Sequence, residues 1–239
     1  MAWQQKMVIH QGSVNPSFIV RLLAAVAFLL VLASAGVQLT AYFTGYDTVY
    51  ELLRLFYVDA EMNIPTFFSA LLLFFAASLL AVITALKRKQ RSFHVLYWAI
   101  LSIGFLFMAI DEVACFHERL IWPLRTLLGG GHLGVFAFAW VIPGIVLVFG
   151  LGLFFLRFLL RLPAKTRLTF LMAAALYVGG AIGFELIGGR YAELNGVLNL
   201  TYGMLALVEE SLEMAGVIVF IWALLVYLVD TYKISPAPI

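Results

Sequence analysis

The sequence predicts an all-α protein, a polytopic membrane bundle of six transmembrane helices that forms a single domain over residues 1–239. Composition is the first reason: 64% of the residues are hydrophobic and 12% are charged, whereas a soluble domain has about 45–50% apolar and about 25% charged residues. Several apolar runs also exceed the roughly 20 residues that cross the hydrocarbon layer. These runs lack the alternation of barrel strands, and backbone groups in lipid must be paired internally, so helices are expected.

Six spans follow one another along the chain. Their predicted bounds are 17–43, 65–86, 93–128, 132–160, 168–187 and 197–232. Pro65 is favourable in the first turn of the second span, Pro143 predicts a kink in the fourth, and Gly188 and Gly189 are expected to close the fifth. The sixth span is longer than a bilayer requires, so we expect it to tilt or to project beyond the membrane.

A short amphipathic helix is predicted after the first span, over residues 46–57. Its apolar side chains recur at helical spacing: Val49, Leu52, Leu53 and Phe56. Such a pattern is typical of a helix that lies flat on the membrane surface.

A cleavage site is an alternative interpretation of the N-terminal region. Ala33-Ser34-Ala35 follows an apolar run, as at a signal-peptidase site. Apolar sequence continues to Phe43, however, and the segment before the run is long and carries Arg21 only at its end. Cleavage would leave five spans in the same orientation.

The distribution of charge predicts the orientation of the bundle. Eleven of the 15 Lys and Arg residues lie on one side of the predicted spans, in the segments 6–21, 87–91, 157–167 and 233. Because basic loops stay in the cytoplasm, both termini are expected to be cytoplasmic.

Of the 13 acidic residues, only Asp230 falls on that side. Acids contribute little to topology, so their crowding on the outer side calls for another explanation. A cleft lined by one sign of charge concentrates counter-ions, which points to a cation as partner and away from nucleic acid.

Carboxylates from separate spans are expected to meet in the outer leaflet. At about 1.5 Å per residue, counting from the cytoplasmic ends places Asp111, Glu185 and Glu213 in one layer, with Glu118 and Glu209 nearer the surface. Glu61 precedes the second span on the same side. Ionisable side chains inside a membrane are costly and commonly functional.

Helical geometry assigns these side chains to faces. At about 100° per residue, Asp111 and Glu118 lie within roughly 20° of each other on a continuous helix, with Cys115 between them, and His117 points roughly 120° away from Asp111. Glu209 and Glu213 are spaced four apart and form the expected inward pair.

The predicted ligands form an oxygen-rich metal site. They are Asp111, Glu118, Glu185, Glu209 and Glu213, with Glu61 and His117 as additional ligands. Oxygen donors favour a divalent ion such as Ca, Mg or Mn, and Fe if His117 takes part. Without a cation, carboxylates packed together cannot all stay ionised, a property that also suits a proton-coupled carrier.

Several nearby residues have a structural interpretation. Glu112 with Arg119 and Glu193 with Arg190 are expected to be ion pairs. Glu210 is expected to be a solvated or helix-facing structural acid, and Cys115 a small packing residue. As the single cysteine, Cys115 excludes an internal disulfide and a CxxC site.

Three segments resemble a group of uncharacterised bacterial multi-pass membrane proteins. They are residues 61–69, the Asp-Glu through His-Glu stretch at 110–118, and residues 199–214. The resemblance covers most of the chain and implies no activity. It implies a location in a bacterial inner (plasma) membrane, with the acidic face toward the periplasm.

Three functions remain open on this basis. The first is a metal-dependent enzyme that acts on a lipid or another apolar substrate. The second is a cation- or proton-coupled transporter or channel, suggested by the likeness of residues 109–112 to residues 207–210 and by inverted-repeat carriers. The third is a non-catalytic assembly or sensor subunit whose acids dock a basic protein.

Overall fold

The computed structural model describes residues 15–45 and 49–232, and within these ranges the protein is all-α with no strand. The elements are α1 (Pro16–Thr44), α2 (Tyr50–Phe56), α3 (Ile64–Lys89), α4 (Val95–Ala114), α5 (Phe116–Arg119), α6 (Ile121–Leu127), α7 (Val141–Arg161), α8 (Ala164–Val178), a π-helical segment (Gly179–Phe184), α9 (Glu185–Asn195) and α10 (Leu200–Tyr232). Six of the described segments are long and apolar enough to cross a membrane: α1, α3, α4, α7, the continuous stretch from α8 to α9, and α10. The predicted six-span helical bundle is confirmed. The cytoplasmic termini remain a prediction, and residues 1–14 and 233–239 lie outside the described residues.

Two spans begin with the same local signal, an asparagine cap followed by proline. Asn15 Oδ1 accepts hydrogen bonds from the backbone N–H groups of Ser17 and Phe18 at the start of α1. Asn63 Oδ1 accepts the Thr66 N–H at 3.0 Å at the start of α3. Such caps pair backbone N–H groups that the first helical turn leaves without an intrahelical acceptor.

The core is built around α10, which packs against α1, α3, α8 and the π-helical segment. Ile221 and Leu224 of α10 and Leu80 and Ile83 of α3 are fully buried. The other four spans bury much smaller fractions of their most apolar stretches, and their outward apolar side chains suit contact with lipid. One close approach is at Gly216, where a Cβ atom would lie 2.7 Å from the Tyr177 backbone nitrogen.

The third span is not the continuous helix over 93–128 that the sequence predicts. α4 ends at Ala114, and Cys115 adopts a left-handed conformation with φ 53° and ψ 42°. The short helices α5 and α6 follow it. The break is held by Asp111, because its backbone carbonyl accepts the Cys115 N–H at 2.7 Å and its carboxylate accepts the His117 N–H at 3.2 Å.

The fourth span also begins later than predicted, at Val141 and not at His132. Residues 133–140 form a connection with a 3₁₀ turn at Gly134–Phe136. Glu193 of α9 accepts the N–H groups of Leu133 and Gly134 at 2.8 and 2.7 Å, which fixes this connection. Pro143 therefore lies in the first turn of α7, where proline is well tolerated, and not in the middle of a helix.

Gly188 and Gly189 do not close the fifth span, which continues to Asn195. Both glycines are buried inside α9. A Cβ atom on Gly189 would lie 3.2 Å from Phe138 Cδ2, so this glycine permits a close tertiary contact with the 133–140 connection.

The predicted amphipathic helix is present as α2, over Tyr50–Phe56, and residues 46–48 lie outside the described residues. Val49, Leu52 and Phe56 line a cleft together with Leu32 and Val37 of α1. The apolar face of α2 is therefore directed toward α1. Its placement on the membrane surface remains a prediction.

Candidate metal centre

The acidic side chains gather at one end of the bundle, which we call the acidic end. There the spans are joined by residues 49–63, 115–140 and 196–199. Electrostatic interactions connect acids from four separate parts of the chain: Asp59, Glu61, Asp111, Glu112, Glu118, Glu185, Glu209, Glu210 and Glu213. The opposite, basic end is formed by residues 87–94, 158–167 and 227–232.

In the described part of the chain, three possible metal ligands form one group: Glu61, Cys115 and Glu118. One ligand atom of each lies within 4.8 Å of the other two. Glu61 Oε2 is shielded from solvent and accepts no hydrogen bond from the described residues. A buried carboxylate oxygen without a donor is costly, so a cation at this point would satisfy it.

Glu61 is held in place by a folded-back loop ahead of α3. Asn63 Nδ2 donates to the Tyr57 carbonyl at 2.6 Å, and Thr66 Oγ1 donates to the Ala60 carbonyl at 3.1 Å. Cys115 and Glu118 are placed by the break after α4. The trio therefore depends on two irregular backbone segments that meet at the acidic end.

Asp111 and His117 form a direct pair, with 2.6 Å between Asp111 Oδ2 and His117 Nδ1. The prediction that His117 points away from Asp111 is wrong, because it assumed one continuous helix. Burial lowers the pKa of His117, but the hydrogen bond and the negative charge of Asp111 outweigh this effect and raise it to about 9. The imidazole is therefore a hydrogen-bond donor and a proton reservoir beside the carboxylates.

Glu118 lies at the exposed rim of the cluster. Partial burial raises the pKa of Glu118 to about 7, and the charge of Glu61 acts in the same direction. Burial and the same Glu61 carboxylate raise the pKa of the Cys115 thiol to about 12. The thiol is therefore neutral near pH 7, and the carboxyl oxygens of the trio are the atoms that a hard cation would bind.

Glu185 and Glu209 form a second pair beside the first. The Trp140 indole N–H donates to Glu185 Oε1 at 2.7 Å, and the carboxyl groups of Glu185 and Glu209 interact electrostatically and are close enough to share a proton. Two carboxylates this close require a shared proton or a cation between them. The Trp140 ring also lies edge-on to His117 at a centroid distance of 4.8 Å, which links the two pairs.

Glu213 lies deeper, where α10 crosses the π-helical segment. A Cβ atom on Gly180 would lie 2.7 Å from the Glu209 carbonyl oxygen and 2.9 Å from Glu213 Cγ. Tyr177 and Glu112 both interact electrostatically with the Glu213 carboxyl group. π-helical turns are frequent at functional sites, and here the turn brings α10 against the fifth span at its acidic residues.

The seven predicted ligands thus lie at the same end of the protein, but they do not converge on one point. Among the described residues, three possible ligands are close enough to share one ion. Two of them, Glu61 and Glu118, belong to the predicted set, and the third is Cys115. The remaining predicted ligands are arranged around that trio as the Asp111–His117 pair, the Glu185–Glu209 pair and the deeper Glu213.

Three residues of the cluster were assigned structural roles from sequence: Cys115, Glu112 and Glu210. Cys115 belongs to the trio, and its place between Asp111 and Glu118 on the helical projection was the available signal. Glu112 forms no ion pair with Arg119 in the described part of the chain and instead interacts with the other acids.

The second expected ion pair is present, with a shielded Glu193 side chain and an exposed Arg190 side chain. Glu193 lies 4.0 Å from Arg190, and its side chain is 5% exposed. Arg125 lies 3.8 Å from the same carboxylate, so Glu193 anchors the 133–140 connection and does not join the cluster.

Comparison with known proteins gives one match. No curated protein and no solved structure matches the chain. A family profile described as a domain of unknown function, DUF8692, matches residues 21–228. Because this match covers most of the sequence, the chain belongs to the DUF8692 family.

Proposed function

We propose that this protein binds a divalent cation at the acidic end and is a metal-dependent membrane enzyme that acts on a lipid or another apolar substrate. The observation that carries the proposal is the trio of Glu61, Cys115 and Glu118, together with the buried Glu61 Oε2, which has no hydrogen-bond partner among the described residues. We place the protein in a bacterial inner membrane, with the acidic end toward the periplasm, on the basis of the basic residues at the opposite end.

The donor set favours a hard cation. Glu61 and Glu118 supply carboxyl oxygens, and Asp111, Glu185 and Glu209 offer further oxygen donors around them. Ca, Mg and Mn prefer oxygen ligands, and Fe becomes an additional candidate if His117 releases its proton on binding, because a ligating imidazole must be neutral. The neutral Cys115 thiol makes a thiolate-selective ion a poorer fit.

Such a cation supplies Lewis acidity and lowers the pKa of bound water. The chain itself contributes a protonated imidazole at His117, held by Asp111 at hydrogen-bonding distance. A side chain that can give and take a proton next to a metal site is what general acid–base catalysis requires.

The surroundings of the trio suit an apolar substrate. Met62 and Phe116 are adjacent in sequence to Glu61 and Cys115 and are 86% and 43% exposed. Val113 and Trp122 are exposed on the same side. A molecule dissolved in the outer leaflet can therefore contact apolar side chains beside the carboxylates, whereas a polar solute gains nothing from this rim.

The interior of the bundle argues against a transport pathway. From Glu213 toward the basic end, the buried side chains of α10 are apolar or aromatic: Met214, Val217, Ile218, Phe220, Ile221, Leu224 and Leu225. They pack against apolar residues of α3 and α8. A cation or proton crossing the membrane would need polar groups along this stretch.

Calorimetric titration of the chelator-treated protein with MnCl₂ tests the cation site. Glu118→Gln keeps the size of the side chain and removes its charge, and we expect the Kd for Mn²⁺ to rise at least tenfold. Glu51→Gln is the matched control, because Glu51 is exposed on α2 and, among the described residues, its one salt-bridge partner is Arg54. No saturable Mn²⁺ binding by the wild type, or equal Kd values for both variants, would refute the cation site.

The enzymatic part needs a separate measurement. We expect protein loaded with Mn²⁺ and reconstituted in bacterial lipid extract to convert a lipid species detectable by mass spectrometry. The conversion should disappear in Glu118→Gln and persist in Glu51→Gln. Saturable Mn²⁺ binding without any lipid product would retain the metal site and reject the proposed activity toward lipids.

A further inference from the structure

A second polar site lies at the basic end of the bundle, far from the carboxylates. It is a cavity of about 300 Å³, a volume at the lower end of the range for small-molecule sites. Its lining combines basic and aromatic side chains, among them Lys87, His94, Trp98, Arg161 and Tyr227.

The charge of this cavity is positive. Lys87 and Arg161 line it, and no Asp or Glu of the described residues does. The Lys87 ammonium lies 5.4 Å from the ring centroid of Tyr227 and 5.7 Å from that of Tyr232. These cation–π contacts hold the amino group at the cavity, whereas Lys89 on the same helix end is exposed.

His94 supplies the most specific signal. Its Nε2 is buried and has no hydrogen-bond partner among the described residues, while its ring packs against Phe158 and Tyr97. A buried polar atom without a partner is costly. The His94 ring lines the cavity, so a rotation of the imidazole that turns this nitrogen toward a bound ligand would give it a partner.

Two helix N-termini add to the positive potential. His94 is the N-cap residue of α4 and Pro163 that of α8, and neither provides a side-chain cap. Both residues line the cavity. The N-terminus of a helix carries partial positive charge and free N–H groups, and it commonly binds phosphate.

We propose that this cavity binds a phosphate group. Lys87, Arg161 and His94 would donate hydrogen bonds to its oxygens, and Trp98, buried to 1% exposure, closes the apolar side of the cavity. The same chemistry is offered by a phospholipid headgroup and by a soluble phosphate monoester. Basic pockets between transmembrane helices on the cytoplasmic side are known to bind anionic headgroups.

The experiment uses two pairs of probes on the full-length protein. Native mass spectrometry compares retention of phosphatidylglycerol with that of diacylglycerol, which lacks the phosphate. Calorimetry compares glycerol 3-phosphate with glycerol. Each is repeated with Lys87→Met and with the control Lys89→Met, and Mn²⁺ titration of both variants verifies that the acidic end is intact.

The results separate the sources of the phosphate. Phosphatidylglycerol retained at least tenfold above diacylglycerol, and lost in Lys87→Met but not in Lys89→Met, identifies a lipid headgroup. Glycerol 3-phosphate binding with the same dependence on Lys87 identifies a soluble ligand. The proposal is overturned if neither phosphate probe exceeds its phosphate-free partner, or if both lysine variants lose binding equally.

Discussion

The contact between the π-helical segment and α10 predicts a large effect for one added methyl group, in Gly180→Ala. The new Cβ would lie 2.7 Å from the Glu209 carbonyl oxygen, where ordinary van der Waals contact begins at 3.4 Å. A backbone carbonyl in a helix cannot rotate away, so the two helices must separate. Inserting a methyl group into a packed interior costs about 1–3 kcal/mol. For a chain of this size that lowers the midpoint of thermal unfolding by about 2–12 °C.

Cation affinity should fall together with stability in this variant. Glu209 and Glu213 would move with α10 when the helix is displaced. Their greater separation from Glu185 and Glu112 is expected to raise the Kd for Mn²⁺ at least tenfold. Gly183→Ala is the matched control within the same π-helical segment, because a Cβ at Gly183 meets nothing within 4 Å. That control should unfold at or slightly above the wild-type temperature, since alanine favours helix over glycine by about 0.5–1 kcal/mol. Equal behaviour of the two variants in thermal unfolding and Mn²⁺ titration would refute this reasoning.

Three further predictions use the same two assays. Asn63→Ala removes the cap of α3 and the anchor of the loop that carries Glu61. The free energy of unfolding should therefore fall by about 1 kcal/mol, and the affinity for Mn²⁺ should fall as well. The corresponding cap variant of α1, Asn15→Ala, should lower stability alone, and a loss of affinity there would contradict the assignment. Trp140→Phe leaves the carboxylate at position 185 without its indole donor, and we expect weaker Mn²⁺ binding with the helical circular dichroism unchanged; wild-type affinity would argue against a role for that pair. In chelator, the free energy of unfolding should fall as pH rises from about 4.5 to about 7, because the folded protein keeps the Glu118 proton that the unfolded chain releases in this range. Added Mn²⁺ should counteract this decrease in the free energy of unfolding. If the free energy of unfolding instead rises with pH in the presence of chelator, the predicted direction of the pH dependence is wrong.

The fold was largely predictable from the sequence because long apolar runs leave few alternatives in a membrane. The errors occur where tertiary contacts decide the local backbone. Neither glycine nor proline marks the break at Cys115, which depends on Asp111 binding His117 six residues away. Gly189, which resembles a helix terminator, instead makes room for Phe138.

The candidate site was predictable to the level of topology only. Alternating spans bring the acids to one end, so that end follows from counting residues. Counting residues does not show which acids approach each other, because the close contacts depend on the left-handed Cys115 and on the π-helical turn at Gly180. The basic cavity depends likewise on a buried His94 nitrogen that no pattern in the sequence indicates.

Elemental analysis of the purified protein tests the central claim most directly. We predict about one equivalent of a divalent metal in the wild type and in Glu51→Gln, and a loss of that metal in Glu61→Gln and Glu118→Gln, with all four proteins equally helical by circular dichroism. A wild-type protein without stoichiometric metal, even after growth and purification with added Mn²⁺, would contradict the assignment of the acidic end as a metal centre.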